Sequence, residues 1–325
     1  MQSTKWIIIL ILFLGRAALA QPEIQNFSTY GGWFIDECYD HIQTSDGGYA
    51  LIGHSRSFVE EPYKSDIWIV KTNDNGDSLW SRTYGWEYEE FGETWDYGWQ
   101  IIENEDNGYL VFGNISWQIG WPPENFTKIL VLSLDANGDS LWTKFYGTDK
   151  RDYAHTVIGT DDGGYAIAGY TTSLDEGNEG YFGRDFFLLR LDENCDSLWM
   201  QAYQQPSTNE CKKVIQTSVG GFALAGKTGY FRNNSTSYQI IFTDENGDSL
   251  WSYVAESDGF DDDRCYTINE IVGDEPDQSL YILSGVKTIG NAPFGDMWTM
   301  AINTEGVRQW ERFDGSDEFR MNEDQ

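Results

Sequence analysis

The sequence predicts an all-β protein built from repeated units of four antiparallel strands, and three observations carry this prediction. The phrase DGGYALIG at 46–53 recurs with substitutions at 106–113, 162–169, 219–226 and 278–285. The phrase NGDSLW at 75–80 recurs with substitutions at 137–142, 194–199, 246–251 and 305–310. The two phrases alternate strictly, as in repeat architectures, and no segment after residue 20 has helical periodicity.

The first unit shows how each repeat divides into strands, which we predict at 39–44, 49–54, 67–72 and 79–84. The turns at 45–48 and 74–77 carry the Gly and Asn residues that hairpins favour. Third strands such as ILVL at 129–132 lack polar alternation, so both faces of each sheet need cover. A ring of blades provides this cover and favours a β-propeller of four-stranded antiparallel blades, while a stacked solenoid is the alternative.

The chain also divides into an N-terminal targeting segment and one domain. Residues 1–20 are predicted to be a signal peptide, because Lys5 precedes an apolar stretch and Ala18-Leu19-Ala20 forms a small-residue cleavage site. The mature protein is then extracellular or in the cell envelope, with no membrane span after cleavage. We predict a single β-propeller domain over 21–325, with repeats at about 33–85, 86–147, 148–204, 205–256 and 257–315 and a partial repeat at 316–325.

The two ends of the repeat array do not match, since residues 28–31 resemble the close of a fourth strand and the C-terminal residues resemble only the opening of a sixth unit. We therefore expect five complete repeats plus partial terminal strands, in a full-length form of six or more blades. A five-bladed ring with loose ends is the alternative.

Composition excludes several functions. The 325 residues include 21 Lys and Arg against 53 Asp and Glu, a formal net charge of −32. This charge argues against nucleic-acid binding through phosphate neutralisation and against an anionic membrane surface. A hydrophobic content of 40% excludes a disordered chain. Four cysteines over this length do not make a disulfide scaffold.

A tryptophan that recurs in every unit belongs to the framework. Burying such a ring removes about 200 Å² from water and contributes up to about 5 kcal/mol of gross stabilisation. We assign a structural role between blades to Trp80, Trp142, Trp199, Trp251 and Trp310.

The motifs carry a family resemblance. The run D-x-N-G-D-S-L-W, followed by Tyr-Gly, resembles the tryptophan-docking repeat of quinoprotein-dehydrogenase-like β-propellers. The DGGYxxxG and NGxxxWxxxYG units resemble still more closely the secreted bacterial propeller-repeat proteins, over about residues 25–325. The resemblance implies the fold and no particular activity. Quinoproteins bind pyrroloquinoline quinone beside a vicinal Cys-Cys pair and calcium. No two cysteines are adjacent here, so this cofactor is not expected.

For metals, the sequence offers one weak calcium candidate and otherwise no cofactor. Asp258, Asp261 and Asp263 lie in the acidic run DGFDDD, and calcium prefers carboxylate oxygens. The alternative is a solvated acidic loop. The three histidines, His41, His54 and His155, fall at different repeat positions, which gives little support to a zinc site or a Ser-His-Asp triad. No catalytic residue is identified from the sequence.

Loop variation selects one face for binding. The loops between strands 2 and 3 and between successive units vary in length, whereas the hairpin turns are short and uniform. Aromatic residues with nearby carboxylates concentrate on this variable-loop face in the first two units. We predict ligand contacts there from Trp86, Tyr88, Trp95, Trp117 and Trp121. Such residues suit a sugar or a protein partner, or they pack the loops together.

The sequence therefore favours an exported, non-catalytic binding or interaction scaffold, with a protein or a polysaccharide as its partner. The alternative is an extracellular enzyme, either a glycan-active hydrolase or a quinoprotein-like oxidoreductase.

Overall fold

A computed structural model describes the chain over ten ranges: 28–59, 64–87, 94–119, 124–173, 183–204, 207–230, 235–255, 263–274, 278–288 and 295–314. The strands of these ranges form five four-stranded antiparallel sheets, each with its strands in chain order. This confirms the predicted all-β fold and its four-stranded propeller blades. No helix within the described ranges is long and apolar enough to cross a membrane.

The strand bounds follow the repeats. Blade 1 comprises β1 (Asp36–Gln43), β2 (Tyr49–Ser55), β3 (Asp66–Thr72) and β4 (Ser78–Tyr84). Blade 2 comprises β5 (Thr94–Glu103), β6 (Tyr109–Ile119), β7 (Glu124–Leu134) and β8 (Ser140–Tyr146). Blade 3 comprises β9 (Asp152–Gly159), β10 (Tyr165–Thr171), β11 (Asp185–Leu191) and β12 (Ser197–Tyr203). Blade 4 comprises β13 (Thr208–Gln216), β14 (Phe222–Tyr230), β15 (Ser235–Thr243) and β16 (Ser249–Val254). Blade 5 comprises β17 (Arg264–Ile271), β18 (Leu280–Lys287), β19 (Asp296–Asn303) and β20 (Arg308–Asp314).

The hydrophobic core lies between the blades. Each of four clusters joins one blade to the next, from blades 1 and 2 through to blades 4 and 5. Across the described residues, no comparable cluster joins blade 5 to blade 1. Both faces of blades 2, 3 and 4 are therefore covered, whereas blades 1 and 5 each have one face without such a partner.

The repeated tryptophan packs against a turn of the following blade. A Cβ added at Gly138, which has a φ of +80°, would lie 3.0 Å from the ring of Trp80. The hydroxyl of Tyr84 donates a hydrogen bond of 2.6 Å to the carbonyl oxygen of the same glycine. Trp199 lies under Gly247 and Trp251 under Gly306 in the same way. The phrase Gly-Asp-Ser-Leu-Trp thus supplies both the glycine turn and the tryptophan that packs on the next turn, and the phrase Tyr-Gly supplies the tyrosine that bonds to it.

Candidate functional site

The first strand of every blade carries a β-bulge at the same position. In β1, Cys38 pairs with Gly53 and Asp40 pairs with Ile52, so Tyr39 has no opposite residue on β2. Glycine is required at position 53, because a Cβ there would lie 1.7 Å from the carbonyl oxygen of Glu37. A bulge of this kind re-aims the side chain of the unpaired residue. The five bulge residues are Tyr39, Trp99, His155, Lys212 and Tyr266.

The bulge residues meet two other sets of side chains. One set lies two residues before the bulge, and the other follows the paired glycine on the second strand. These positions lie near the start of strand 1 and the end of strand 2, on the side where the variable loops open. We call their members in blades 1 to 4, with Arg184, the bulge band: Glu37, Tyr39, His54, Tyr97, Trp99, Asn114, Tyr153, His155, Tyr170, Arg184, Glu210, Lys212 and Lys227.

Aromatic rings make the bulge band continuous across three blades. The ring centroids of Tyr39 and Trp99 are 4.4 Å apart, and those of Trp99 and Tyr153 are 5.7 Å apart. Tyr153 stacks on Tyr170 at 5.6 Å with an interplanar angle of 4°. Asn114 fixes the backbone beneath, since its Nδ2 donates to the carbonyl oxygen of Ala154 at 2.9 Å. The result is a row of flat apolar surfaces rather than a set of isolated rings.

Glu37 provides an accessible carboxylate at the blade 1 end of this row. Its side chain is 54% exposed and lies 4.0 Å from the Nδ1 of His54. The hydroxyl of Tyr39 donates a hydrogen bond of 2.6 Å to its Oε2. Burial raises the pKa of Tyr39, and burial lowers the pKa of His54. At neutral pH, Tyr39 therefore keeps its proton as a donor and His54 is uncharged.

Cations dominate the blade 4 end. The carboxylate of Glu210 is 3.0 Å from the Nζ of Lys212 and 3.4 Å from the Nζ of Lys227, and it also pairs with Arg184. Burial and the nearby Lys227 lower the pKa of Lys212 to about 8, so this side chain is still mostly charged at pH 7. The guanidinium of Arg184 lies 4.4 Å from the centroid of the Tyr170 ring, which links the cations to the aromatic row.

His155 lies at the junction between the two parts. Burial lowers its pKa to about 3, so the imidazole is neutral. Its Nε2 is 3.1 Å from the Nζ of Lys212 and therefore accepts a hydrogen bond from the ammonium group. His155 lies 5.1 Å from Tyr153, centroid to centroid, which continues the row of rings up to the lysine.

Three of the predicted binding aromatics, Trp86, Trp95 and Trp117, lie within the described residues but outside the bulge band, and none of the three is fully exposed. Trp117 is only 5% exposed, and its ring stacks on Phe126 at 5.7 Å. Trp86 is half-buried, its backbone N–H donates to Asp96, and its ring packs against the core between blades 1 and 2. Trp95 is also half-buried. Trp117 is thus a core residue of blade 2. Tyr88 and Trp121 lie outside the described residues.

The calcium candidate falls mostly outside the described residues, which include Asp263 but not Asp258 or Asp261. Asp263 is fully buried, its Oδ1 accepts a hydrogen bond of 3.0 Å from the backbone of Thr288, and its Oδ2 lies 3.8 Å from the Nζ of Lys287. No group of three or more metal-ligating side chains occurs in the part of the chain that the structure describes. The calcium site stays a prediction.

The four cysteines lie apart from one another. Cys38, Cys211 and Cys265 each occupy the small position opposite a glycine, one per blade, and Cys195 lies in a turn. That no quinone is bound stays a prediction.

The sequence carries one signal for the bulge band, and it lies outside the two repeated phrases. At the position two residues before the bulge, the five repeats carry Glu37, Tyr97, Tyr153, Glu210 and Arg264. The flanking positions are nearly constant: acidic or amide on one side and small on the other. A position whose charge varies while its neighbours stay nearly constant is not needed to hold the fold together. Such positions are candidates for ligand contact.

Comparisons with known proteins give distant likenesses only. No protein-family model matches the chain, and neither does any curated protein. Among solved structures, a eukaryotic initiation factor aligns at 13% identity with a TM-score of 0.35, over 85% of this chain and 55% of that one. A thermostable family-43 glycoside hydrolase aligns at 11% identity with a TM-score of 0.40, over 89% and 96%. The endo-arabinase from Bacteroides thetaiotaomicron aligns at 10% identity with a TM-score of 0.36, over 85% and 98%.

The expectation of a non-catalytic scaffold is wrong in the light of these comparisons. The structures that align with 85–89% of this chain include a glycoside hydrolase and an endo-arabinase. Likeness at this level does not transfer a substrate or a catalytic residue. The activity proposed below therefore rests on this chain's own side chains.

Proposed function

We propose that the protein is an exported glycan-active hydrolase whose sugar site is the bulge band. One observation carries the proposal: a continuous row of aromatic rings ends at an accessible carboxylate, on the side where the variable loops open. Export is supported by the signal-peptide features of residues 1–20. We also propose that the chain is related to the secreted bacterial propeller-repeat proteins, which its repeated phrases resemble.

The row of rings suits a chain of sugar units. One face of a pyranose presents C–H groups, which pack on flat rings such as Trp99 and Tyr153, while hydroxyl groups around its edge need hydrogen-bond partners. Glu37 accepts such bonds, and the Tyr39 hydroxyl that already donates to it keeps the carboxylate in place. Because the rings are spread over three blades, the site is long enough for more than one sugar.

Glu37 is the group to which we assign water activation. In glycoside hydrolysis, a carboxylate takes a proton from water as the water oxygen bonds to the anomeric carbon. The glycosidic C–O bond breaks in the same step, the leaving oxygen takes a proton from solvent, and the carboxylic acid formed at Glu37 later returns its proton to solvent. Glu37 suits the first role because it is accessible and fixed by one donor.

Glu210 is a poor second candidate for that role. Three cations face its carboxylate, and its side chain is nearly buried. Its task is to balance those cations.

The test is Glu37→Gln, which keeps the shape of the side chain and can still accept the bond from Tyr39 but cannot take a proton. We expect kcat on the responsive polysaccharide to fall about 100- to 10,000-fold, with KM little changed. The control is Glu124→Gln at an exposed strand end of blade 2, which should leave both constants unchanged.

A glycan panel scored by release of reducing ends supplies the assay. Loss of KM rather than kcat in Glu37→Gln would assign Glu37 to binding and overturn its catalytic role. Absence of any hydrolysis by folded wild-type protein would overturn the proposed function.

A further inference from the structure

We infer that the glycan is acidic and that the blade 4 end of the bulge band binds the carboxylate of a uronic acid unit, an inference that rests on the proposed function. The binding groups are Arg184, Lys212 and Lys227. All three reach the same place, since each pairs with Glu210.

The first argument is the clustering of cations. Arg184, Lys212 and Lys227 all lie within ion-pair distance of the same carboxylate, that of Glu210. Three cations at one place are notable in a chain that has 21 Lys and Arg against 53 Asp and Glu.

The second argument is the contrast with the framework of the same repeat. Where charges serve to hold a blade together, one cation meets one carboxylate. Lys71 lies 2.8 Å from Asp46 in blade 1, and Arg190 lies 2.7 Å from Asp162 at the equivalent position of blade 3. Holding a blade therefore does not require three cations.

The third argument is that the cluster is particular to its place. The position of Glu210 holds Glu37, Tyr97, Tyr153 or Arg264 in the other blades, and the position of Lys212 holds Tyr39, Trp99, His155 or Tyr266. A feature that the other repeats do without is not needed for the fold.

The cations are also open to a ligand. The side chains of Arg184, Lys212 and Lys227 are 31%, 24% and 23% exposed, respectively. Burial and the nearby Lys227 lower the pKa of Lys212. A bound anion would offset the repulsion between these cations and would therefore favour the charged form of Lys212.

The geometry connects this charge to the sugar site. Arg184 lies over the Tyr170 ring, and Tyr170 stacks on Tyr153 of the aromatic row. A sugar unit packed on the row at blade 3 would therefore lie beside the three cations. A carboxylate on the ring suits this arrangement because arginine forms two parallel hydrogen bonds with it.

The experiment measures binding of three tetrasaccharides at 0.15 M salt by isothermal titration: tetragalacturonate, its methyl ester and a sulfated galactotetraose. We expect tetragalacturonate to bind about tenfold or more tightly than its ester. Lys212→Met and Lys227→Met should each weaken tetragalacturonate about tenfold and leave the ester unchanged. The control is Lys144→Met, since Lys144 is similarly exposed and also pairs with one carboxylate, Asp196, at 2.7 Å.

The outcomes separate the two proposals. Equal binding of the acid and its ester, or equal loss in Lys212→Met and Lys144→Met, would overturn the acidic-sugar inference even where neutral glycans are hydrolysed. Tightest binding of the sulfated sugar would replace the uronate with a sulfate ester and overturn the carboxylate assignment. Charge-dependent binding of tetragalacturonate without hydrolysis would support the inference and count against the hydrolase.

Discussion

At the residue scale, one backbone position in each blade decides what the bulge band offers to a ligand. The bulge leaves that residue without a partner across the strand pair, so its side chain changes without disturbing the sheet. Tyr39 and Trp99 present ring faces, His155 a neutral imidazole and Lys212 a charge. The same repeat therefore carries an aromatic end and a cationic end within one site.

Trp117 tests the correction made to the predicted binding surface. Its ring is buried and stacked on Phe126 within blade 2, so Trp117→Ala leaves a cavity. We expect a loss of about 3–5 kcal/mol in the free energy of unfolding, measured by urea denaturation. The control is Trp33→Ala, because Trp33 is 99% exposed and should cost almost nothing. Equal stability of the two variants would show that the Trp117 ring is not buried and would contradict its assignment to the core of blade 2.

At the scale of the strand and turn, blades are held together by a ring of one blade docking on a glycine turn of the next. Gly247 has a φ of +82°, and a Cβ there would lie 2.6 Å from the ring of Trp199. Tyr203 donates a hydrogen bond of 2.9 Å to its carbonyl oxygen. In blade 3, Cys195 takes this position with a φ of 58° and shares a core cluster with Trp142. The docking site thus adapts to the residue at the turn.

Gly247→Ala separates docking from backbone strain. Gly47 has a similar φ of +86° but nothing within 4 Å of an added Cβ, so Gly47→Ala carries the strain alone. We expect Gly47→Ala to cost about 1 kcal/mol of unfolding free energy. Gly247→Ala should cost about 1–3 kcal/mol more, because its methyl group overpacks the Trp199 ring. Equal melting temperatures for the two variants would show that Trp199 yields freely and that the contact does not hold the blades.

The strands themselves were largely predictable, and the exception is informative. Blade 1 was expected at 39–44, 49–54, 67–72 and 79–84, and three of its strands lie within a residue of those bounds. The first strand begins three residues earlier, at Asp36. The added residues include Asp36 and Glu37, which are polar and break the apolar pattern by which a strand is recognised. The part that sequence periodicity omits is the part that lines the candidate site.

At the scale of the whole molecule, the blades form a series, and among the described residues no core cluster covers the outer faces of blades 1 and 5. Blade 1 exposes Trp33, Phe34 and Ile35 before its first strand, and blade 5 exposes Trp310, whose equivalents in the other blades are partly buried. Repeats predict each internal interface, because every blade supplies the same residues to its neighbour. They do not predict what covers the outer faces, since no repeated contact occurs there among the described residues.

Cysteine labelling measures this exposure directly. Cys38, Cys211 and Cys265 share one repeat position, yet Cys38 is exposed while the other two are fully buried. We expect a maleimide to modify Cys38 in the folded protein and to reach Cys211 and Cys265 only after denaturation, as read by peptide mass spectrometry. Protection of Cys38 in the native protein would contradict an uncovered blade 1 face.

The most direct test of the central claim is release of reducing ends from acidic and neutral polysaccharides by the purified wild-type chain, with circular dichroism to verify the β fold. We predict release from a uronate-containing polysaccharide, and we expect Glu37→Gln to slow this release at least about 100-fold. No release from any polysaccharide by folded protein would contradict the assignment of the bulge band as a hydrolytic glycan site.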